Sequence, residues 1–337
     1  MERFVIGAAI FAAVAIAAGG YFSHAVSDGD GFRFEIDGEP DAGGGRGTGT
    51  PTKVASATYA GAELRIRNAV ATLRIIPEDR ADFAVEIANP GMLTTPSIRI
   101  DGDDVIVDGG IGHRRIRNCR NLNNVVSTEV SGVGTVNANQ APVITVRAPR
   151  DLKVSVGGAV QSEIGASNSA DLSFSGCGDA TVGDVAGALK LDASGSGDVV
   201  AGASRSATIS LAGSGDTSVG AVSGALEVDL AGSGGVTAAS AAGPLEISIA
   251  GSGGVNVGGG AMGDAEVSIA GSGDVTVGGD VQRLEVSIAG SGDVDVRGKA
   301  ASVEANIMGS GDVSVAEVTG GVQKSVMGSG SVHVGKN

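Results

Sequence analysis

The sequence predicts an all-β protein: a single-stranded parallel β-helix, or β-solenoid, with rungs of about 19 residues, preceded by an N-terminal signal or anchor helix. Three observations predict it. Gly-x-Gly signals begin at Gly176, Gly195, Gly213, Gly232, Gly251, Gly271, Gly290, Gly309 and Gly328, in steps of 19, 18, 19, 19, 20, 19, 19 and 19 residues. A fixed period in this range marks a stacked array. Before each signal the apolar residues alternate, as in Leu226, Val228, Leu230 and in Leu284, Val286, Ile288, which is the pattern of a half-buried strand. The chain also holds 58 glycines with only 3% aromatic residues, and nothing aromatic follows Phe174, so its core must be narrow and aliphatic.

The elements follow in chain order. The opening, MERFVIGAAIFAAVAIAAGGYFSHAVSDGD, has one arginine, an apolar run over 4–18 and a small-x-small site at Ser23, His24 and Ala25. Residues 1–25 read as a secretory signal peptide; taken as 4–22, the same run is long enough for an uncleaved membrane anchor. Residues 26–52, with DGEPDAGGGRGTGTPT at 37–52, have linker composition. Residues 53–150 alternate as strands do but lack Gly-Ser-Gly corners, and are read as irregular rungs capping the N-terminal end.

Residues 151–337 are the regular GSGD-type repeats. After each corner comes a second short alternation, Val275 and Val277, then Val294 and Val296, then Val313 and Val315, with a third inward point at Val185, Val222, Val281 and Val318. Two or three short strands per turn make one rung, and each strand pairs in parallel with its equivalent in the next rung, the rung itself serving as the crossover. Glycine supplies the positive φ that a tight corner needs, and the second glycine of the corner, such as Gly292, is expected to take it. A propeller blade takes about 40–50 residues and does not fit the period.

Charge is segregated. Residues 151–337 carry 21 Asp plus Glu against 8 Lys plus Arg, net −13, while 1–150 carry 17 against 15, net −2. Such a surface repels phosphate backbones, so a nucleic-acid partner is not expected.

The export-type N-terminus, the irregular β segment, APRDLKVSVGGA at 148–159 and the serial SGSGDV-type turns together resemble the DUF2807 family, the putative autotransporter adhesin head GIN domain, over 53–337. The resemblance implies a right-handed single-stranded β-helix located in the periplasm, at the outer surface or outside the cell, or held at the inner membrane if 4–22 remain as an anchor. One departure from an autotransporter is expected, because GSGSVHVGKN at 328–337 still lies inside a repeat and no barrel segment follows.

Two acidic ladders are the candidate metal ligands. One follows the corner: Asp179, Asp198, Asp216, Asp274, Asp293 and Asp312, interrupted by Gly235 and Gly254. The other precedes it: Glu227, Glu246, Glu266, Glu285 and Glu304. Carboxylates about 4.8 Å apart repel by roughly 1 kcal/mol even in water, and a cation relieves this. Calcium is the candidate ion, although the calcium-binding β-roll repeats every nine residues, half the spacing seen here. The preferred reading is that Asp caps amides in the turn while the Glu row keeps the strand solvated and blocks lateral pairing. No firm metal site and no cofactor are therefore expected.

Cys119 and Cys177 either pair in an oxidising compartment or remain two buried thiols. HRRIRNCR at 113–120 is either a patch for anionic lipid or polysaccharide or a solvated loop, the latter being commoner for short charge runs. Enzyme activity is not expected, nor a small-molecule substrate. The repeats offer neither a cluster of acid and base groups nor aromatic platforms for sugars, and the corner serines lack both a strand-turn-helix setting and a histidine partner. Membrane contact is expected only through the N-terminal segment if it is uncleaved. The last rung carries Lys324 at an inward position, with Ser331 and His333 nearby, polar groups expected to protect an open edge. The function expected is a non-enzymatic structural or adhesive envelope protein that meets an unidentified surface ligand; the alternatives are a calcium-dependent binding module and a polymerising envelope scaffold.

Overall fold

Rungs stack when the same residue type returns at the same point of every turn, because each side chain then lies above its own kind. The computed structural model describes residues 25–28, 31–34, 52–122 and 125–335. The signal or anchor segment up to residue 24 and most of the linker lie outside the described residues. From the last residue of the stretch read as signal or anchor into the one read as linker, β1 (Ala25–Asp28) and β2 (Gly31–Phe34) form a short antiparallel ladder. Among the described residues no helix is long and apolar enough to cross a membrane.

The repeats form a β-solenoid of about ten turns within a single 24-stranded sheet. Strands before the corner pair in parallel and in register: Leu226 with Leu245, Glu227 with Glu246, Val228 with Ile247 and Gly232 with Gly251. Strands after the corner do the same, Val236 with Val255 and Val255 with Val275. Columns such as Ile209, Val228, Ile247, Val267 and Val286 on the first face, and Val236, Val255, Val275 and Val294 on the second, are at most 2% exposed. Burying one such side chain contributes about 1.5–3 kcal/mol, which lets the core hold beyond Phe174, where it has no aromatic residue. Thr217 interrupts the second face between Val199 and Val236. It is 1% exposed, and its hydroxyl has no hydrogen-bond partner among the described residues.

The positive φ sits at the first glycine of each corner. Gly158, Gly176, Gly195, Gly213, Gly232, Gly251, Gly271, Gly290, Gly309 and Gly328 have φ between 121° and 147°. The expectation that Gly292 takes this conformation is corrected, since its φ is not in that region. Gly292 is needed for another reason: a Cβ there would land on the carbonyl oxygen of Gly273. The first of the ten corners, Gly158-Ala159-Val160, lacks the Gly-Ser-Gly spelling and was invisible to the motif.

Residues 53–150 prove to be of two kinds. The strands are β3 (Thr52–Ala60), β4 (Glu63–Glu78), β5 (Asp82–Asn89), β6 (Ser97–Asp101), β7 (Asp104–Asp108), β8 (Ile116–Leu122), β9 (Val125–Val130), β10 (Gly134–Asn137), β11 (Val143–Pro149) and, opening the regular repeats, β12 (Asp151–Ile164). β4 is itself a rung, since its first half pairs in parallel with β7 and β12 and its second half with β11 and β12. Asn68, at φ 53°, makes its corner. Antiparallel strands then close the end on both faces, β6 on β7, β5 on β11 and β3 on β5. By contrast β8, β9 and β10 are not rungs; they form a separate three-stranded antiparallel sheet.

At the other end the strand Val322–Gly328 is exposed along its whole length. Lys324 stacks on Ala305, whose side chain is fully buried. Lys324 is itself exposed, which is why a charge is tolerated at a position that is apolar in earlier rungs.

Candidate functional site

The corner places the first acidic column. Each Asp carboxylate accepts a hydrogen bond from the backbone N–H at the same position one rung on: Asp179 from Asp198 (3.0 Å), Asp198 from Asp216 (2.8 Å) and Asp216 from Gly235 (2.7 Å). The pattern resumes with Asp274 and Asp293 (3.0 Å), Asp293 and Asp312 (2.8 Å), and Asp312 and Ser331 (2.8 Å). The residues expected to cap their own turn therefore clasp the next one. Their Oδ1 atoms are taken by amides, so the column serves as an inter-rung staple built from charge-assisted hydrogen bonds. A similar clasp occurs at another corner, where Asp184 accepts from Ala203 and Asp280 from Lys299, both at 2.8 Å.

The second column is different. Glu227, Glu246, Glu266, Glu285 and Glu304 stand directly above one another, exposed on the outer face. Beside the first four runs a shallow groove whose rim carries the Arg283–Asp264 ion pair at 3.2 Å. Earlier rungs fill this column with Lys153, Asp171, Lys190 and Thr208, and there Lys190 meets Asp171 at 3.5 Å. The column thus neutralises itself at one end and is of one sign from Glu227 to Glu304, after which comes Gln323. Among the described residues no group of three or more His, Cys, Asp or Glu side chains is arranged to hold a metal ion.

Two polar clusters lie at the ends. Glu63, 8% exposed, faces Arg65 (2.9 Å) and Lys153 (3.3 Å), and Arg65 also reaches Asp104 (3.1 Å), joining β7, β4 and β12. Burial pushes the Glu63 carboxyl up, but hydrogen bonds and charge from Arg65 and Lys153 outweigh it and leave it below its ordinary range. In the last rung the Ser331 hydroxyl donates to Asp312 (2.6 Å) and lies 2.7 Å from His333 Nε2. The Ser331 hydrogen bond is the main reason that the Asp312 carboxyl is lowered. With its proton on Asp312, Ser331 can only accept from His333, the reverse of the order that activates a serine nucleophile.

The remaining feature is a covalent one. Cys119 on β8 and Cys177 are joined in a disulfide, with their Cα atoms 6.1 Å apart. Cys177 occupies the middle of the Gly176-Cys177-Gly178 corner, where later corners have Ser196, Ser214, Ser233 and so on to Ser329. That single departure from serine was the available sequence signal. Around it Val70, Leu93, Ile111, Val130, Val136, Ala141 and Ala159 form a small core distinct from the solenoid interior. Of the basic run, Arg115 donates to the Ser131 carbonyl within the side sheet (2.9 Å).

Stacked corners, clasped rungs and a one-sign outer column define a repetitive β-solenoid. A family model, DUF2807, described as putative auto-transporter adhesin, head GIN domain, matches residues 115–261 and 225–337; the chain belongs to this family, for which no catalytic activity is known. Several solved structures are similar. A putative adhesin from Parabacteroides distasonis ATCC 8503 is 15% identical, covering 85% of this chain and 98% of its own, with a TM-score of 0.43. A putative adhesin from Parabacteroides merdae ATCC 43184 is 14% identical, with coverage of 85% and 97% and a TM-score of 0.37. A putative lipid binding protein from Parabacteroides distasonis ATCC 8503 is 17% identical, with coverage of 85% and 97% and a TM-score of 0.31. No curated protein matches the chain.

Proposed function

We propose that this chain is an exported, non-enzymatic β-solenoid that acts as an adhesive or structural element of the cell envelope. The observation that carries the reading is the regularity of the outer face before the corner. Glu227, Glu246, Glu266 and Glu285 form one column, and Ala231, Ala250, Ala270 and Ala289 another, all paired in register. A surface repeating about every 4.8 Å suits many weak, equivalent contacts along an extended ligand, and linked weak contacts multiply into avidity. Membership of an adhesin-head family supports the same reading.

Fractionation of cells making the full chain, together with attachment of purified protein to intact cells, tests it. Recovery in the envelope or medium and saturable attachment are expected. Retention in the cytosol without attachment overturns the reading, and attachment abolished by a calcium chelator replaces it with a calcium-dependent module.

A further inference from the structure

We propose that the Cys119–Cys177 disulfide is a redox-operated latch. Oxidised, it holds the three-stranded side sheet over an apolar strip beside the first corners of the solenoid; reduced by a dithiol, it lets that sheet go and bares the strip.

Among the described residues, packing and not a shared ladder attaches the side sheet. No strand of β8–β10 pairs with the 24-stranded sheet. Its apolar seat is the small core in which Val130, Val136 and Ala141 pack with Val70 and Ala159 of the solenoid, apart from the main interior. An element with no shared ladder lies toward the low end of local stability, so one covalent bond can decide whether it stays docked. The flanks stay tied to the solenoid and serve as hinge points: Gly109 N–H donates to the Arg67 carbonyl (3.0 Å), Ile111 N–H to the Asn68 carbonyl (2.8 Å) and Thr72 N–H to the Pro142 carbonyl (2.9 Å). Gly109, Gly110 and Gly112 lead into the sheet, with Gly110 at φ 69°, and Pro142 follows it.

The body of the solenoid does not depend on the bond. Cys177 N–H donates to the Gly158 carbonyl (3.2 Å), and Gly176 pairs with Gly158 on one side and Gly195 on the other. The serines in later corners hold the same position with no partner sheet. Cleaving the disulfide therefore leaves the stack in place while freeing the sheet. Both cysteines are only half-buried, within reach of a reductant. In the reaction a thiolate of the dithiol attacks one Sγ and the other cysteine leaves as thiolate. The second thiol of the reductant then displaces the first cysteine, so two electrons pass to the protein, two cysteine thiols form and the reductant ends as a disulfide.

The test uses the full chain, purified in air, with and without dithiothreitol, and the Cys177→Ser variant, which restores the residue of the other corners. Hydrogen exchange is followed for β8–β10 and for regular strands such as Leu226–Gly232. On reduction, and in the variant, exchange in β8–β10 is expected to accelerate on the order of a hundredfold, with the regular strands unchanged. An apolar dye, anilinonaphthalene sulfonate, is expected to gain fluorescence reversibly. Unchanged protection of β8–β10, protection lost along the regular strands, or two titratable thiols in the air-purified protein each overturn the latch.

Discussion

Replacing single glycines, two in one corner and one outside it, separates two effects that coincide in the sequence. At Gly290 an alanine meets both: φ is 144°, and its Cβ would collide with the carbonyl of Gly271. Gly292 presents only the second, a collision with the Gly273 carbonyl and a 3.0 Å approach to Ile269 Cγ2. At Gly259 neither applies, because the space is open and φ is not left-handed. A glycine-only conformation costs about 1–3 kcal/mol and overpacking against a fixed neighbour about 1–3 kcal/mol. Relief by sliding is blocked, since the colliding atom belongs to a rung held by further rungs. Gly290→Ala should therefore cost about 2–6 kcal/mol, Gly292→Ala about 1–3 kcal/mol, and Gly259→Ala should be neutral or stabilise by up to about 1 kcal/mol. At about 2–4 °C per kcal/mol, differential scanning calorimetry resolves the order. Equal melting of the Gly290 and Gly259 variants refutes the account of the corner, and a Gly292 variant worse than Gly290 refutes the placement of the positive φ.

Thr217→Val removes a buried hydroxyl that lacks a partner and restores the Val column, so denaturant titration should show a gain of about 1 kcal/mol; a loss means that the hydroxyl is satisfied. Because the Glu63 carboxyl is lowered in the folded state, its contribution is full above its unfolded value near 4.5 and is lost as pH falls through the folded value. Hydrogen exchange in β4 and β7 should accelerate below pH 4.5, and Glu63→Gln should abolish that step; an identical acid response in the variant removes Glu63 from the explanation. Converting Glu246, Glu266 and Glu285 to Gln together should raise the melting temperature slightly at low salt, with no difference at 1 M salt (Debye length about 3 Å). A melting temperature of the parent protein that rises with calcium, and no longer does so in the triple variant, would instead place a cation on the Glu column.

The architecture was legible because a solenoid writes its geometry into a period: identical corners force identical spacing, and alternation before Gly-Ser-Gly marks the inward face. Legibility ended where partners are chosen over long distances. β11 lies between β4 and β5 in the sheet although both precede it in the chain, and alternation alone carries no trace of that choice. The first rung was hidden because Asn68 makes a turn that glycine makes elsewhere. The Asp column was visible, but its direction was not, since reaching back into its own turn and forward to the next rung require the same residue at the same spacing. Cys119 and Cys177, 58 residues apart, had no spacing rule to join them, and only the packed side sheet shows what their union holds.

The interrupted Asp column also has a mechanical meaning. In a stack of rungs the backbone hydrogen bonds run along the long axis, so a pull between the two ends loads every inter-rung boundary in series and the weakest yields first. Boundaries from Asp179 to Gly235 and from Asp274 to Ser331 have a carboxylate strap. Those between Gly235 and Gly254, and between Gly254 and Asp274, rest on the main-chain ladder, with bonds such as Val236 N–H to the Gly254 carbonyl and Val255 N–H to the Asp274 carbonyl. In the adhesive role proposed above, a pull between a cell and a surface would load these two boundaries in series with the others, and lacking a strap they are expected to part at a lower force than the strapped boundaries on either side of them.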